Sequence, residues 1–259
     1  MTAAIRPRAL PLAALAAGLL TLTGCAALGL EHPPTAEQPL PTIDAASPTP
    51  KASGGDGGLL TDDQARAALL TQNDLGAPWA ATRGAATWRD GLLKASSRTA
   101  ECQRLLDALY ADELLGAPGR VAVGLDDADT DAQLRYQIGA RRPADVDAAL
   151  AWLRTMPARC ARFTATTESG LVEDVQVQEA PLPEVGDARQ GLRLTLYTTT
   201  SDGQDVVLTM DVAAVRVGED SFALTNGGLG DVPNEATQAA VQIGALRLAD
   251  IRKQGRAEV

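Results

Sequence analysis

Polar and apolar positions change their period along this chain, and the changes mark out its elements. From Thr61 to about Thr71 the pattern is helical and opens on Thr61-Asp62-Asp63-Gln64. In such a capping box the Thr and Gln side chains satisfy backbone N–H groups reciprocally, and acids sit where the helix dipole favours them. A second helical stretch runs from about Ser97 to Leu115, with Cys102, Leu105, Leu106, Leu109 and Tyr110 recurring at helical spacing. Two strands are predicted next, Arg120–Leu125 and Gln133–Ala140, joined by an acidic turn over residues 126–131. Pro143 suits the first turn of a third helix, whose apolar stripe is Val146, Ala149, Leu150, Leu153 and Met156.

From Cys160 onward the period becomes two. Phe163–Thr167, Leu171–Val177, Leu192–Thr198, Val206–Val217 and Phe222–Thr225 read as strands. Leu192, Leu194 and Leu196 alternate with Arg193, Thr195 and Tyr197, so this strand has one buried and one wet face. Ser169-Gly170, Asp202-Gly203 and Gly218-Glu219 supply hairpin turns. A last helix begins near Pro233 and buries Val241, Gly244, Ala245, Leu248 and Ile251. Short hairpin links argue against parallel βαβ units. The expected fold class is therefore α+β, an antiparallel sheet of about six to seven strands with helices packed on it, in one domain over residues 59–259.

The N-terminal part has a different character. Arg6 and Arg8 precede an apolar run from Ala9 to Thr23, and no acid occurs before Cys25. A run of about 15 residues is too short for a membrane-spanning helix, which needs about 20, but suits the core of a signal peptide. It ends in Leu22-Thr23-Gly24-Cys25, which resembles the bacterial lipobox L-x-[GA]-C. That resemblance implies a signal peptide over 1–24, cleavage between Gly24 and Cys25, and a diacylglyceryl group on the Cys25 sulfur. Two acyl chains anchor stably where one binds marginally. Residues 25–58 then read as a tether, rich in Pro and Gly and free of aromatics, since the aromatics begin at Trp79. The expected location is the outer face of the cytoplasmic membrane, and the expected membrane contact is the lipid itself.

Charge and composition narrow the function further. The net charge is −10 and the sequence pI about 4.6, which excludes a basic nucleic-acid surface. The single histidine, His32, falls in the tether. Ser-His-Asp and Cys-His catalysis and His-ligated metal sites are thereby absent from the folded part. Neither G-x-S-x-G nor S-x-x-K occurs there, and Lys94 and Lys253 are its only lysines. Asp127-Ala-Asp129-Thr-Asp131 begins like a calcium loop but continues with Ala132 and Ile138 where an EF-hand has Gly and Glu, so it reads as an acidic turn. Asn226-Gly227-Gly228-Leu229-Gly230 looks superficially like a phosphate loop. No Lys-Ser/Thr follows it and Asp231 would repel phosphate, so a flexible turn is the better reading. Trp79, Trp88 and Trp152 are candidates for a sugar or lipid pocket, and more often such residues are core or rim. No catalytic residue, metal, cofactor or specific ligand-binding residue is assigned.

With Cys25 consumed by lipid, Cys102 and Cys160 remain in an oxidising compartment. They form either a bridge closing a loop of about 58 residues or two separate buried thiols.

Several segments together resemble a known family. They are Leu59-Leu60-Thr61-Asp62-Asp63, Leu75-Gly76-Ala77-Pro78-Trp79, Cys102 with Leu105-Leu106, Cys160-Ala161-Arg162-Phe163, Gly186-Asp187, and Val215 to Phe222. The chain looks like actinobacterial lipoproteins related to the PknH-type extracellular sensor domain of Ser/Thr kinases, over roughly residues 59–250. The resemblance implies an antiparallel sheet flanked by helices, with a cleft for an unidentified ligand. Kinase members carry two disulfides; this chain has cysteines for one, and no kinase domain is attached. The expected function is a lipid-anchored extracytoplasmic sensor-like or ligand-binding domain without catalysis, meeting an unknown envelope ligand or protein partner. The alternatives are a carrier of lipid or glycolipid, which predicts a large continuous apolar cavity, and a ligand-free structural or interaction module.

Overall fold

The computed structural model describes residues 58–257. In chain order these form α1 (Asp62–Ala67), α2 (Gln72–Leu75), β1 (Trp79–Ala81), a π-helical turn (Arg89–Leu93), β2 (Ala95–Ser97) and α3 (Ala100–Tyr110). Then come β3 (Val121–Asp127), β4 (Gln133–Ile138), α4 (Pro143–Arg159), β5 (Arg162–Thr167) and β6 (Val172–Glu179). The chain ends with β7 (Ala188–Thr199), β8 (Asp205–Val217), β9 (Asp220–Leu229) and α5 (Asn234–Ala257). The signal peptide, the Gly24–Cys25 cleavage point, lipidated Cys25 and the tether through residue 57 lie outside the described residues.

All the strands pair antiparallel in one sheet, in the order β1-β3-β4-β9-β8-β7-β6-β5-β2. The fold class agrees with the sequence, but nine strands replace the expected six to seven. The two extra strands, β1 and β2, have three residues each and sit at the sheet edges, paired with β3 and β5. Three residues are too few to show a period of two.

Helix boundaries also differ for local reasons. The capping box at Thr61 forms as expected, with the Gln64 N–H donating to Thr61 Oγ1 at 3.2 Å and the Thr61 N–H to Gln64 Oε1 at 3.0 Å. The helix does not continue to Thr71, because Thr71 is itself an extended cap whose N–H donates to Asp74 Oδ2 at 2.6 Å, opening α2. α3 is shorter than expected at both ends. Ser97 is drawn into β2 by pairing with Ala165, and Asp112 takes a left-handed backbone (φ 58°) that stops the helix.

Two apolar cores flank the sheet. On one face α3, α4 and the π-helical turn bury Leu105, Leu106, Leu109, Leu150 and Leu153 against Val175, Val177, Leu192, Leu194, Leu196 and Met210. On the other, α1 and α5 pack Ala65, Val241, Ala245 and Leu248 against Leu134, Tyr136, Val215 and Phe222. The Tyr136 and Phe222 rings lie 5.1 Å apart in that second core, a tilted pairing worth about 1 kcal/mol beyond its area. The first core extends across β5, β6, β7, β8 and β9. No residue of β5, β6 or β7 belongs to the second. The centre of the sheet is thus covered on both sides. Over β5, β6 and the Thr195–Thr199 end of β7 only the α4 side is covered among the described residues, whereas the start of β7 is also covered by the β6–β7 connection, where Leu182 packs on Gly191.

The Asn226–Gly230 segment is a correction to the sequence reading. Asn226–Leu229 is the end of β9 rather than a flexible turn, with Asn226 paired to Asp211 and Gly227 to Met210, and only Gly230 (φ 86°) lies in a bend beyond it. A Cβ at Gly227 would stand 2.9 Å from the Trp88 ring. The glycine leaves room for the Trp88 ring against the strand.

Candidate functional site

The half-covered part of the sheet carries the candidate site. Alternation along β7 puts Leu192, Leu194 and Leu196 under α4 and turns Arg193, Thr195 and Tyr197 to the opposite face. Register extends this face over four strands: Thr164 on β5 opposes Asp174 on β6, Asp174 opposes Tyr197, and Tyr197 opposes Val207 on β8. Thr199 opposes Asp205 one step further toward the hairpin tips. Together with Val172 these residues line an open cleft of about 510 Å³, within the range of small-ligand sites.

Tyr197 is 43% exposed and Val172 62% exposed, so the cleft presents an aromatic and an aliphatic surface to solvent. Two carboxylates stand beside them, and each already has a partner. Arg162 Nε donates to Asp174 Oδ1 at 3.1 Å, and the Thr199 hydroxyl donates to Asp205 Oδ1 at 2.9 Å. No Lys, Arg or His is among the residues lining the cleft.

Toward the centre of the sheet the same face is closed by the start of α5. Asp211, fully buried on β8, accepts from Arg193 Nη1 at 3.3 Å, Asn234 Nδ2 at 2.6 Å and the Thr237 hydroxyl at 3.1 Å. Arg193 also donates to Asp231 Oδ1 at 3.0 Å and to the Val232 carbonyl at 2.7 Å. Burial pushes the Asp211 carboxyl above its ordinary range, against the opposing pull of these contacts.

Glu173 borders the cleft on β6, and alternation sends its side chain to the helix-covered face. It is 0% exposed, and neither carboxyl oxygen has a hydrogen-bond partner. Its cross-strand neighbour in β5 is Ala165. Desolvation pushes its carboxyl up to about 7. A second charged cluster lies across the first core. Buried Arg89 donates from Nη2 to Asp112 Oδ1 at 2.8 Å and to the Leu109 carbonyl at 3.1 Å, while Arg135 pairs with the other Asp112 oxygen at 2.8 Å. Its geometry ties the end of α3 to β4 and the π-helical turn.

The residues singled out from sequence fall as follows. Cys102 and Cys160 are bonded to each other, with Cα atoms 5.6 Å apart and both side chains buried. Asp127 accepts from the Asp129 and Thr130 N–H groups at 2.9 and 3.3 Å, so it shapes its own turn. Among the described residues no group of three or more His, Cys, Asp or Glu is placed to hold a metal. None of the three tryptophans lines the cleft. Trp88 is core and Trp79 packs at the edge of the second core. Trp152 donates to Glu101 at 3.2 Å under the Arg104 guanidinium. The aromatic that does line the cleft, Tyr197, stood in the sequence as an aromatic on the wet side of an alternating strand. Nothing in the linear pattern brought Asp174 and Thr164 to it.

No family model matches the chain, and no curated protein does. Among solved structures it is similar to the extracellular domain of PknH from Mycobacterium tuberculosis, at 14% identity with a TM-score of 0.42. The match covers 76% of this chain and 100% of that one. The resemblance expected from sequence motifs returns as this weak structural likeness, with no sequence family behind it. Among the described residues no helix is long and apolar enough to cross a membrane.

Proposed function

We propose that this chain is an extracytoplasmic binding protein, anchored by lipid on Cys25 to the outer face of the cytoplasmic membrane. In this reading it holds a ligand in the cleft over β5–β8 and does no chemistry on it. The observation that carries the reading is the cleft itself: a sheet face left open beside a covered one, with an exposed tyrosine among the residues that line it. A strand buried on both faces needs no polar alternation, whereas β5, β6 and β7 keep Thr, Asp, Gln and Tyr outward. The two outward-facing cleft carboxylates, Asp174 and Asp205, are engaged by Arg162 and Thr199 rather than paired as acid and base. The position of the cleft, outside the sheet rather than between sheet and helices, favours this reading over an acyl-chain carrier.

Two measurements test it on the full chain. Metabolic labelling with a fatty-acid analogue and detergent phase partitioning are expected to show lipid on the wild type and none on Cys25→Ala, and equal labelling of both overturns the anchor. A photo-reactive residue at Thr195, beside the cleft, is expected to cross-link an envelope component in cells, while one at exposed Leu246 on α5 is not. Identical patterns from both positions overturn the cleft as the binding site.

A further inference from the structure

We infer that the ligand of the cleft is a neutral polyhydroxylated chain, an oligosaccharide stretch of the cell envelope. The inference rests on the reading of the cleft as a binding site and adds the chemistry of what occupies it. Three observations on the same sheet face point there.

The first is charge. Of the carboxylates turned to the cleft, Asp174 is paired with Arg162 and Asp205 accepts from the Thr199 hydroxyl while keeping its charge; Glu173 borders the cleft but turns to the helix-covered face, and no cation is among the lining residues. A phosphate, sulfate or carboxylate ligand would find two carboxylates and, beside them, only an arginine already held by Asp174, in a chain whose net charge is −10. A cationic ligand would have to displace Arg162 to reach Asp174 and would find Asp205 alone without a counter-charge, a single exposed carboxylate that contributes little. A neutral ligand asks neither carboxylate to lose its partner, since each has further lone pairs to accept from ligand hydroxyls.

The second is the form of the apolar surface. Tyr197 and Val172 are exposed side by side with threonine hydroxyls at positions 164 and 199. A sugar ring has one face of C–H groups and an edge of hydroxyls, and so meets both at once. An aromatic with a polar rim suits it as an acyl chain does not.

The third is extent. The outward face continues along β6 and β7 through the neutral Gln176, Gln178 and Thr195, which both donate and accept; the flanking Arg162 and Arg193, opposite Gln176 and Gln178, are held by Asp174 and by Asp211 and Asp231. The register sets Gln176 opposite Thr195. This gives the cleft an elongated approach suited to a chain of units rather than to one enclosed ring.

The test is saturation-transfer NMR on the full chain in detergent micelles, with three probes at millimolar concentration. They are neutral oligosaccharides released from the host's own envelope, hexalysine, and an oligogalacturonate. Transfer to the neutral sugars alone is expected, with affinity reduced at least tenfold in Tyr197→Ala and retained in Tyr197→Phe. Tyr197 is exposed, so its alanine variant is expected to melt with the wild type; Asp174→Ala, with the same expected loss of affinity, serves as a second variant. Binding of hexalysine or the oligogalacturonate in place of neutral sugars overturns the ligand class and leaves the binding role standing. Transfer to none of the probes, or unchanged sugar binding in both variants, overturns the class and the cleft together.

Discussion

Asp211, in the middle of β8, accepts a hydrogen bond from the hydroxyl of Thr237 at 3.1 Å, and the sheet is thereby tied to the first turn of α5. Its remaining acceptor capacity goes to Asn234 and Arg193. A carboxylate at a helix start also meets the positive end of the helix dipole. Removing it leaves the Arg193, Asn234 and Thr237 donors without their partner beside a buried strand. Asp211→Ala is expected to cost about 3 kcal/mol, read as a lowered urea midpoint. A loss below about 1 kcal/mol would show that the network contributes little.

The lone carboxyl of Glu173 predicts a pH dependence. Its folded value of about 7 stands above the ordinary 4.5. Below pH 4.5 both folded and unfolded chains hold the proton and nothing is lost. Between 4.5 and 7 the unfolded chain releases it first, so stability falls as pH rises. Above 7 the full cost is present, about 3 kcal/mol. Glu173→Gln is expected to be more stable than wild type at pH 8, with the difference shrinking toward pH 4. Denaturant titrations across that window read the slope, and parallel curves for the two proteins would remove Glu173 as its source.

The Cys102–Cys160 bridge spans 58 positions of sequence between α3 and the end of α4. Closing a loop of that size restricts the unfolded chain by about 4 kcal/mol. Cys102→Ser is expected to lower Tm by roughly 10 °C under oxidising conditions, and reduction of the wild type to bring it to the same value. Calorimetry with thiol titration checks both. Two titratable thiols in the native protein would contradict the bridge.

Arg247 on α5 holds the short helix α2 in place. It pairs with Asp74 and donates to the Leu69 carbonyl. Burial pushes the Asp74 carboxyl up, yet the hydrogen bonds from Arg247 and Thr71 outweigh this and hold it below its ordinary value. That contribution is present at neutral pH and fades only as pH falls below about 4. Arg247→Ala is expected to cost about 1–2 kcal/mol, given partial exposure of the pair. The matching readout is faster hydrogen exchange over residues 72–81, with exchange in β7 unchanged.

Much of this architecture was legible in the residue order. Helical spacing marked Val146, Ala149, Leu150, Leu153 and Met156, and all are buried on α4. Alternation marked Leu192, Leu194 and Leu196, and the Gly-containing hairpin turns fall where expected. These are local properties: a side chain's face follows from the period of its own backbone, whatever the partner. The same locality limited the reading. β1 and β2 exist only because β3 and β5 offer them an edge, and β9 runs on through Gly227 and Gly228 because β8 pairs with both.

Residue order is enough for the α+β class, for the wet and dry faces of each long strand, and for the two cysteines available to each other. It also shows that Tyr197 points away from the core. The tertiary structure alone decided that α5 stops over β8 and leaves β5, β6 and the Thr195–Thr199 end of β7 open on one side. It alone set Asp174 opposite Tyr197, across a connection that no local period encodes. The physical reason is that burial is set by which elements meet, and the meeting of β4 with β9 or of Asp211 with Thr237 depends on the packing of the whole domain.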